Sequence, residues 1–270
     1  MADARRADGK KLMEAPTDAC VRARTSKNFD PELFRVQTDL LAPLAHMSTG
    51  VAHIDAVLPG GGLPLQHVVE VVGPPASGKT RLCCAACVKA AAGASVLFIE
   101  TRGTNVTEQL QLTEGSPPAA EVLANVHVTD VHTMDDLVSI LSELLEQGGL
   151  PSAPQLPLRL LVVDCFADLA VPRVHAHRRE TGLVCLAARL LAQVAQQLGS
   201  CVLMTNTTVR GDGPELHKAA LQSTTGPSTP QLRLLMSKRP ASLEFYAQVV
   251  DSIDYPVARS RGGNARQLCD

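Results

Sequence analysis

The chain has 270 residues, a formal net charge of −2, 45% hydrophobic and 19% charged residues. This is the balance of a soluble globular protein with one large core, and no stretch approaches the roughly 20 apolar residues a bilayer crossing needs, so no membrane partner is expected. Near-neutral charge argues against a globally basic nucleic-acid binder, and 3% aromatics with no Trp argue against base stacking as the main mode of contact.

Met1 to Lys11 is polar, carries both charge signs and lacks the apolar segment of a secretory signal, which leaves a cytosolic or nuclear site as the expectation. Residues 1–45 read as an N-terminal tail and linker, partly disordered, with a short helix over Asp30–Leu44 entered through Asp30-Pro31. Residues 46–258 then alternate between strand and helix patterns, and residues 259–270 read as a C-terminal tail. Gln66–Val72 is a valine-rich buried strand, Thr80–Ala92 a helix of small apolar residues, and Ser95–Glu100 and Val126–Val131 are further strands. Met134–Gln147 puts Met134, Leu137, Val138, Leu141, Leu144 and Leu145 on one helical face and stops at Gly148-Gly149. Leu158–Asp164 is a central strand, Leu183–Leu198 an amphipathic helix closed by Gly199, and Ser200–Asn206 a buried strand. Two last strands fall in Gln231–Ser237 and Leu243–Val250. This alternation predicts an α/β fold, a mostly parallel twisted sheet with helices on both faces.

Eight cysteines without a secretory signal predict free thiols. Cys84 and Cys87 form a CxxC with no second pair, on a helix of small residues, so core packing is expected there rather than zinc.

Gly73-Pro74-Pro75-Ala76-Ser77-Gly78-Lys79-Thr80 fits GxxxxGK[ST], directly after a strand and before a helix. Loop N–H groups and the helix N-terminus suit phosphate oxygens, Lys79 is placed for the β and γ phosphates, and the Thr80 hydroxyl can ligate Mg²⁺. Leu160-Leu161-Val162-Val163-Asp164 is an apolar strand ending in an acid at the sheet edge where such a metal sits. ATP and Mg²⁺ are the expected cofactors, held by Gly73 to Arg81 with Thr80 and Asp164 on the metal.

Several segments together resemble the RecA/RadA-type recombinases, over about Ser48 to Tyr255. Ser48-Thr-Gly-Val-Ala-His-Ile-Asp55, Gly60-Gly-Gly-Leu63, Gly73 to Cys83 and Cys201-Val-Leu-Met-Thr-Asn206 carry it. The eukaryotic recombinase paralogues that act as mediators, the D-type among them, are the most similar in pattern. The resemblance implies a RecA-like P-loop ATPase core, DNA repair by homologous recombination and a nuclear site. It also implies related paralogue subunits and a recombinase as partners, and single-stranded DNA as ligand. The water-activating Glu of active members falls on Arg102, which cannot act as a base. Glu100 stands two residues earlier, on the same side of the strand, and is the remaining catalytic candidate beside Lys79. The γ-phosphate-sensing Gln falls on Thr207, and Phe34-Arg-Val-Gln37 does not satisfy the family's subunit-docking motif. The resemblance places two DNA loops at about Phe166–Thr181, with Arg173, His175, His177, Arg178 and Arg179, and at Val209–Pro227, with Arg210 and Lys218. Phosphate contact by these cations is weighed against a solvated charge cluster, and the two histidines are read as solvent-exposed or hydrogen-bonded. Two functions stay open: a mediator that loads or stabilises a recombinase, with weak DNA-dependent ATPase at most, or a nucleotide-stabilised interaction subunit that barely hydrolyses. An unrelated small-molecule kinase ranks last, because no lid-like arginine cluster is evident.

Overall fold

The computed structural model describes residues 45–111, 120–174, 178–210, 217–219, 230–238, 245–252 and 266–268. They belong to one compact unit, Ala45–Asp270. The helix expected over Asp30–Leu44 and the Phe34 segment lie outside the described residues.

Two short strands, β1 (His46–Met47) and β2 (Leu63–Pro64), pair antiparallel around helix α1 (Ala52–Asp55). The main strands are β3 (Val68–Gly73), β4 (Ser95–Glu100), β5 (Val126–Asp130), β6 (Leu158–Asp164), β7 (Cys201–Arg210), β8 (His217–Ala219), β9 (Leu232–Lys238), β10 (Phe245–Ser252) and β11 (Arg266–Leu268). Among the described residues they form one sheet in the order β11-β10-β9-β3-β7-β6-β4-β5, with β8 on β7. Every pairing from β9 across to β5 is parallel; β10 and β11 are antiparallel additions. The helices are α2 (Lys79–Ala91), α3 (Val106–Gln111), α4 (Ala120–Leu123), α5 (Met134–Gln147), α6 (Phe166–Val174) and α7 (Arg178–Leu198). None of them is long and apolar enough to cross a membrane.

The central strands are buried on both faces, which is why they read as unbroken apolar runs rather than alternating ones. Alternate residues serve alternate cores. Val69, Val71, Phe98, Val162 and Leu203 pack with Leu82, Cys83, Ala86 and Cys87 of α2. Ile99, Leu161, Val163 and Val202 pack with Leu137 and Leu141 of α5 and Leu191 and Val194 of α7. The Thr133 hydroxyl caps α5 by accepting from the Asp136 N–H at 3.1 Å, and Gly148 (φ 70°) ends it in the left-handed conformation.

Cys83, Cys84 and Cys87 are core residues, as their setting among small apolar neighbours implied. Burial raises all three thiols, Cys84 to about 12, so they stay protonated near neutrality.

The α/β alternation stands as read, and Ser95–Glu100, Met134–Gln147 and Leu158–Asp164 match end to end. Three segments differ. The stretch expected as a loop over Phe166–Thr181 is helical on both sides of residues 175–177, forming α6 and the start of α7. Phe166, Ala167 and Ala170 bury the inner face of α6. Pro172 lies inside α6 and has no N–H to offer the Asp168 carbonyl one turn back. The second expected loop begins as a ribbon, with Thr208 opposite Ala219 and Val209 opposite Lys218. Arg266–Leu268, read as tail, adds an edge strand to β10.

Candidate functional site

The parallel register sets the C-terminal ends of β3, β4 and β6 along one edge of the sheet, beside β7. Gly73 of β3 pairs with Thr207 of β7, Val163 of β6 with Met204, and Asp164 with Glu100 of β4. The loop from β3 to α2 turns through Ala76 (φ 60°) and Gly78 (φ 89°). Left-handed residues set among ordinary ones are the backbone pattern of an anion-binding nest, and the first turn of α2 follows directly at Lys79. Gly73 is fixed by crowding: a Cβ there would lie 2.4 Å from the Met236 carbonyl oxygen of β9 and 2.6 Å from Ser77 Oγ. Ser77 Oγ is buried and finds no hydrogen-bond partner within the described residues.

Lys79 is only 9% exposed, and its ammonium donates to the carbonyls of Gly73 (2.7 Å) and Pro74 (2.9 Å). Burial lowers its pKa, partly offset by Cys165 and Asp164. Thr80 Oγ1 donates to Asp164 Oδ2 at 2.6 Å, and Thr205 Oγ1 donates to Oδ1 at 2.5 Å. Asp164 therefore has both oxygens aimed by hydroxyls. Pro75 is exposed on the loop, and Arg81 is exposed on the first turn of α2.

Glu100 is buried, and its Oε1 accepts from both the N–H and the hydroxyl of Thr104. That carboxylate closes the turn after β4. Thr101 is held against the end of β6: its N–H donates to Asp164 O at 3.0 Å, and Cys165 N–H donates to its hydroxyl at 2.9 Å. Arg102 follows and makes a two-point ion pair with Asp168 of α6, Nη2 to Oδ1 at 2.8 Å and Nε to Oδ2. The bonds to Asp168 raise the Arg102 pKa further, so it is a permanent cation beside the loop.

This donor set suits a polyphosphate with a hard divalent cation. Mg²⁺ takes one or two carboxylates plus phosphate oxygens rather than an all-protein cage. No group of three or more His, Cys, Asp or Glu suited to a metal occurs among the described residues. The structure thus brings together Lys79, Thr80, Asp164 and Glu100, with the last committed to Thr104.

The DNA candidates are placed by backbone. Arg173 lies near the end of α6, Arg178 and Arg179 open α7, Arg210 ends β7 and Lys218 is the middle of β8. His175 and His177 lie outside the described residues.

Two features escaped sequence reading. Thr205 as a partner of Asp164 requires the β6–β7 register. A buried cluster joins β3, β7 and β9: Glu70 accepts from Asn206 Nδ2 (2.6 Å) and Arg233 Nε (2.5 Å). Its signal was present, since Glu70 is a lone carboxylate inside Val68-Val69-Glu70-Val71-Val72.

A parallel sheet with this loop, a carboxylate ending the second strand away and helices on both faces defines the RecA-like P-loop class. A family model described as Rad51 matches residues 42–227, and the chain belongs to that family. It is 31% identical over 216 residues to "DNA repair protein RAD51 homolog 4" of Bos taurus, covering 76% of this chain and 65% of that protein. It is 28% identical to "DNA repair and recombination protein RadA" of Methanocorpusculum labreanum, covering 60% of this chain and 56% of the relative. A segment covering 34% of the chain is 38% identical to "DNA repair and recombination protein RadB" of Halobacterium salinarum, covering 39% of that protein. These similarities place it with the RecA/RadA-type recombinase paralogues. The chain spans less than two thirds of the length of these relatives.

Proposed function

We propose that this chain binds ATP with Mg²⁺ at Gly73 to Thr80 and serves in DNA repair by recombination, as a nuclear paralogue subunit that helps load or stabilise a recombinase on single-stranded DNA. The observation that carries the nucleotide reading is the meeting of Lys79, Thr80 and Asp164 at one point, with Thr80 Oγ1 2.6 Å from Asp164 Oδ2. The loop amides would cradle the phosphates, Thr80 would ligate the metal, and Asp164 would orient it from the next layer. Bound MgATP supplies a phosphoanhydride whose terminal phosphoryl group can pass to water. Lys79 neutralises charge on that group, and the hydroxyls of Thr80 and Thr205 fix the Asp164 carboxylate.

With MgATP at about 100 times its Kd, mass action stabilises a binding-competent native state by about 2.7 kcal/mol. Lys79→Ala is expected to lose most of that shift in a urea titration with and without MgATP. An equal shift in the variant and the parent protein would overturn the nucleotide assignment.

DNA contact is assigned to Arg173, Arg178, Arg179, Arg210 and Lys218, which lie within the two expected loop segments Phe166–Thr181 and Val209–Pro227 on helix ends and the β7–β8 ribbon. The Arg178→Ala, Arg179→Ala double variant should weaken single-strand binding and flatten its salt dependence by up to about 0.7 per lost phosphate contact. Unchanged affinity and salt slope, followed by fluorescence anisotropy, would remove these two residues from the interface.

The second reading, a nucleotide-stabilised subunit with little hydrolysis, is favoured by Arg102 and Glu100. Arg102 cannot take a proton from water, and Glu100 is occupied by Thr104. Partners purified with the full chain from cells separate an assembly subunit from a free-standing ATPase.

A further inference from the structure

We propose that Arg102 is a terminal-phosphate ligand that makes the site selective for nucleoside triphosphate over diphosphate, with Asp168 as its competing partner. The inference rests on the nucleotide reading above and deepens it. Three observations carry it. First, Thr101 is bonded to the backbone of both Asp164 and Cys165, so the chain enters Arg102 at the end of β6, at the residue whose carboxylate receives Thr80. The position of residue 102 relative to the loop is therefore set by backbone and hydroxyl contacts, not by its own side chain.

Second, Arg102 lies two residues beyond Glu100, which pairs across the β4–β6 register with Asp164, the residue whose carboxylate receives Thr80. Third, it is bound at two points by the Asp168 carboxylate while its side chain remains 47% exposed and that of Asp168 32% exposed. Arg matches a carboxylate and a phosphate with the same planar fork. The pair is open to solvent, and an incoming phosphate offers the guanidinium the same two-point geometry, so one partner can replace the other. A terminal phosphate carries more charge than the Asp168 carboxylate and offers three oxygens, so it wins the exchange. A diphosphate leaves Arg102 on Asp168.

The exchange has a consequence for α6. Asp168 is the third residue of that helix, which begins two residues after Asp164 and carries Arg173 near its other end. Release of Asp168 removes a side-chain tie between α6 and the turn after β4.

The test uses the full chain and equilibrium titration with fluorescent forms of ADP, ATP and a non-hydrolysable ATP analogue, each with Mg²⁺. Arg102→Ala should weaken triphosphate binding about tenfold or more, the range of a hydrogen bond to a charged group, and leave diphosphate binding unchanged. Asp168→Asn, which frees Arg102, should tighten triphosphate binding several-fold and leave diphosphate binding unchanged. In the double variant the Asp168→Asn gain should vanish. Equal effects of Arg102→Ala on both nucleotides, or none, overturn the proposal while Lys79→Ala still weakens both, which leaves the nucleotide site standing. If Lys79→Ala also changes neither, the site itself falls and this proposal with it.

Discussion

Glu70→Ala is expected to destabilise the fold by about 3 kcal/mol, the low end of what breaking a buried ion pair costs. Glu70 is 2% exposed, and both of its oxygens are engaged, by Asn206 and by Arg233. Removing the carboxylate takes one charged partner from a guanidinium whose side chain is 23% exposed, which is why the lower end of the range applies. Glu70→Gln keeps the shape and an acceptor oxygen and should cost about half as much. Glu70→Leu combined with Arg233→Leu should recover part of the loss, because the apolar pair leaves no buried charge behind. Urea midpoints with unchanged slope would measure all three. A loss below about 1 kcal/mol for Glu70→Ala would show that the pair contributes little beyond packing.

The second large effect is expected at Phe98. This ring is fully buried on β4, two residues before Glu100, against the α2 side of the sheet with Cys83, Cys84 and Cys87. Phe98→Ala should cost about 3–5 kcal/mol, the transfer of the ring plus the cavity it leaves. Phe98→Leu, which keeps most of the volume, should cost about 1.5 kcal/mol or less. α2 carries Lys79 and Thr80 at its first turn, so a collapse of the helix onto the cavity would also move the phosphate loop. Weakened MgATP binding by the alanine variant, alongside its lower urea midpoint, is the accompanying expectation. An alanine variant as stable as the leucine variant would show that the core closes around the gap.

The parts of this molecule that could be read in advance are those set by local rules. Ser95–Glu100 and Leu158–Asp164 are apolar runs of strand length, and Met134–Gln147 shows helical spacing between Thr133 and Gly148. GxxxxGKT is a backbone device whose meaning is local. What could not be read depended on partners distant in sequence. Glu100 was a plausible base until Thr104 folded back on it. Arg102 read as a broken catalytic position, and only the placement of α6 revealed Asp168 as its partner. The helix Phe166–Val174 was hidden because the resemblance placed a loop over Phe166–Thr181, while the burial of Phe166, Ala167 and Ala170 comes from tertiary packing. Thr205 meets Asp164 only through the register of β6 and β7.

Gly73 opens the phosphate loop, and the surface it leans on is the Met236 carbonyl, more than 150 residues downstream. The signature segments Gly73–Thr80 and Leu160–Asp164 both precede Leu232, so a shortened product ending there would keep every recognisable word of the sequence. It would still lack the backing strand against which the first glycine is seated, and it would open an edge along Val69 to Val72 to solvent. Intact spelling would then accompany a ruined pocket.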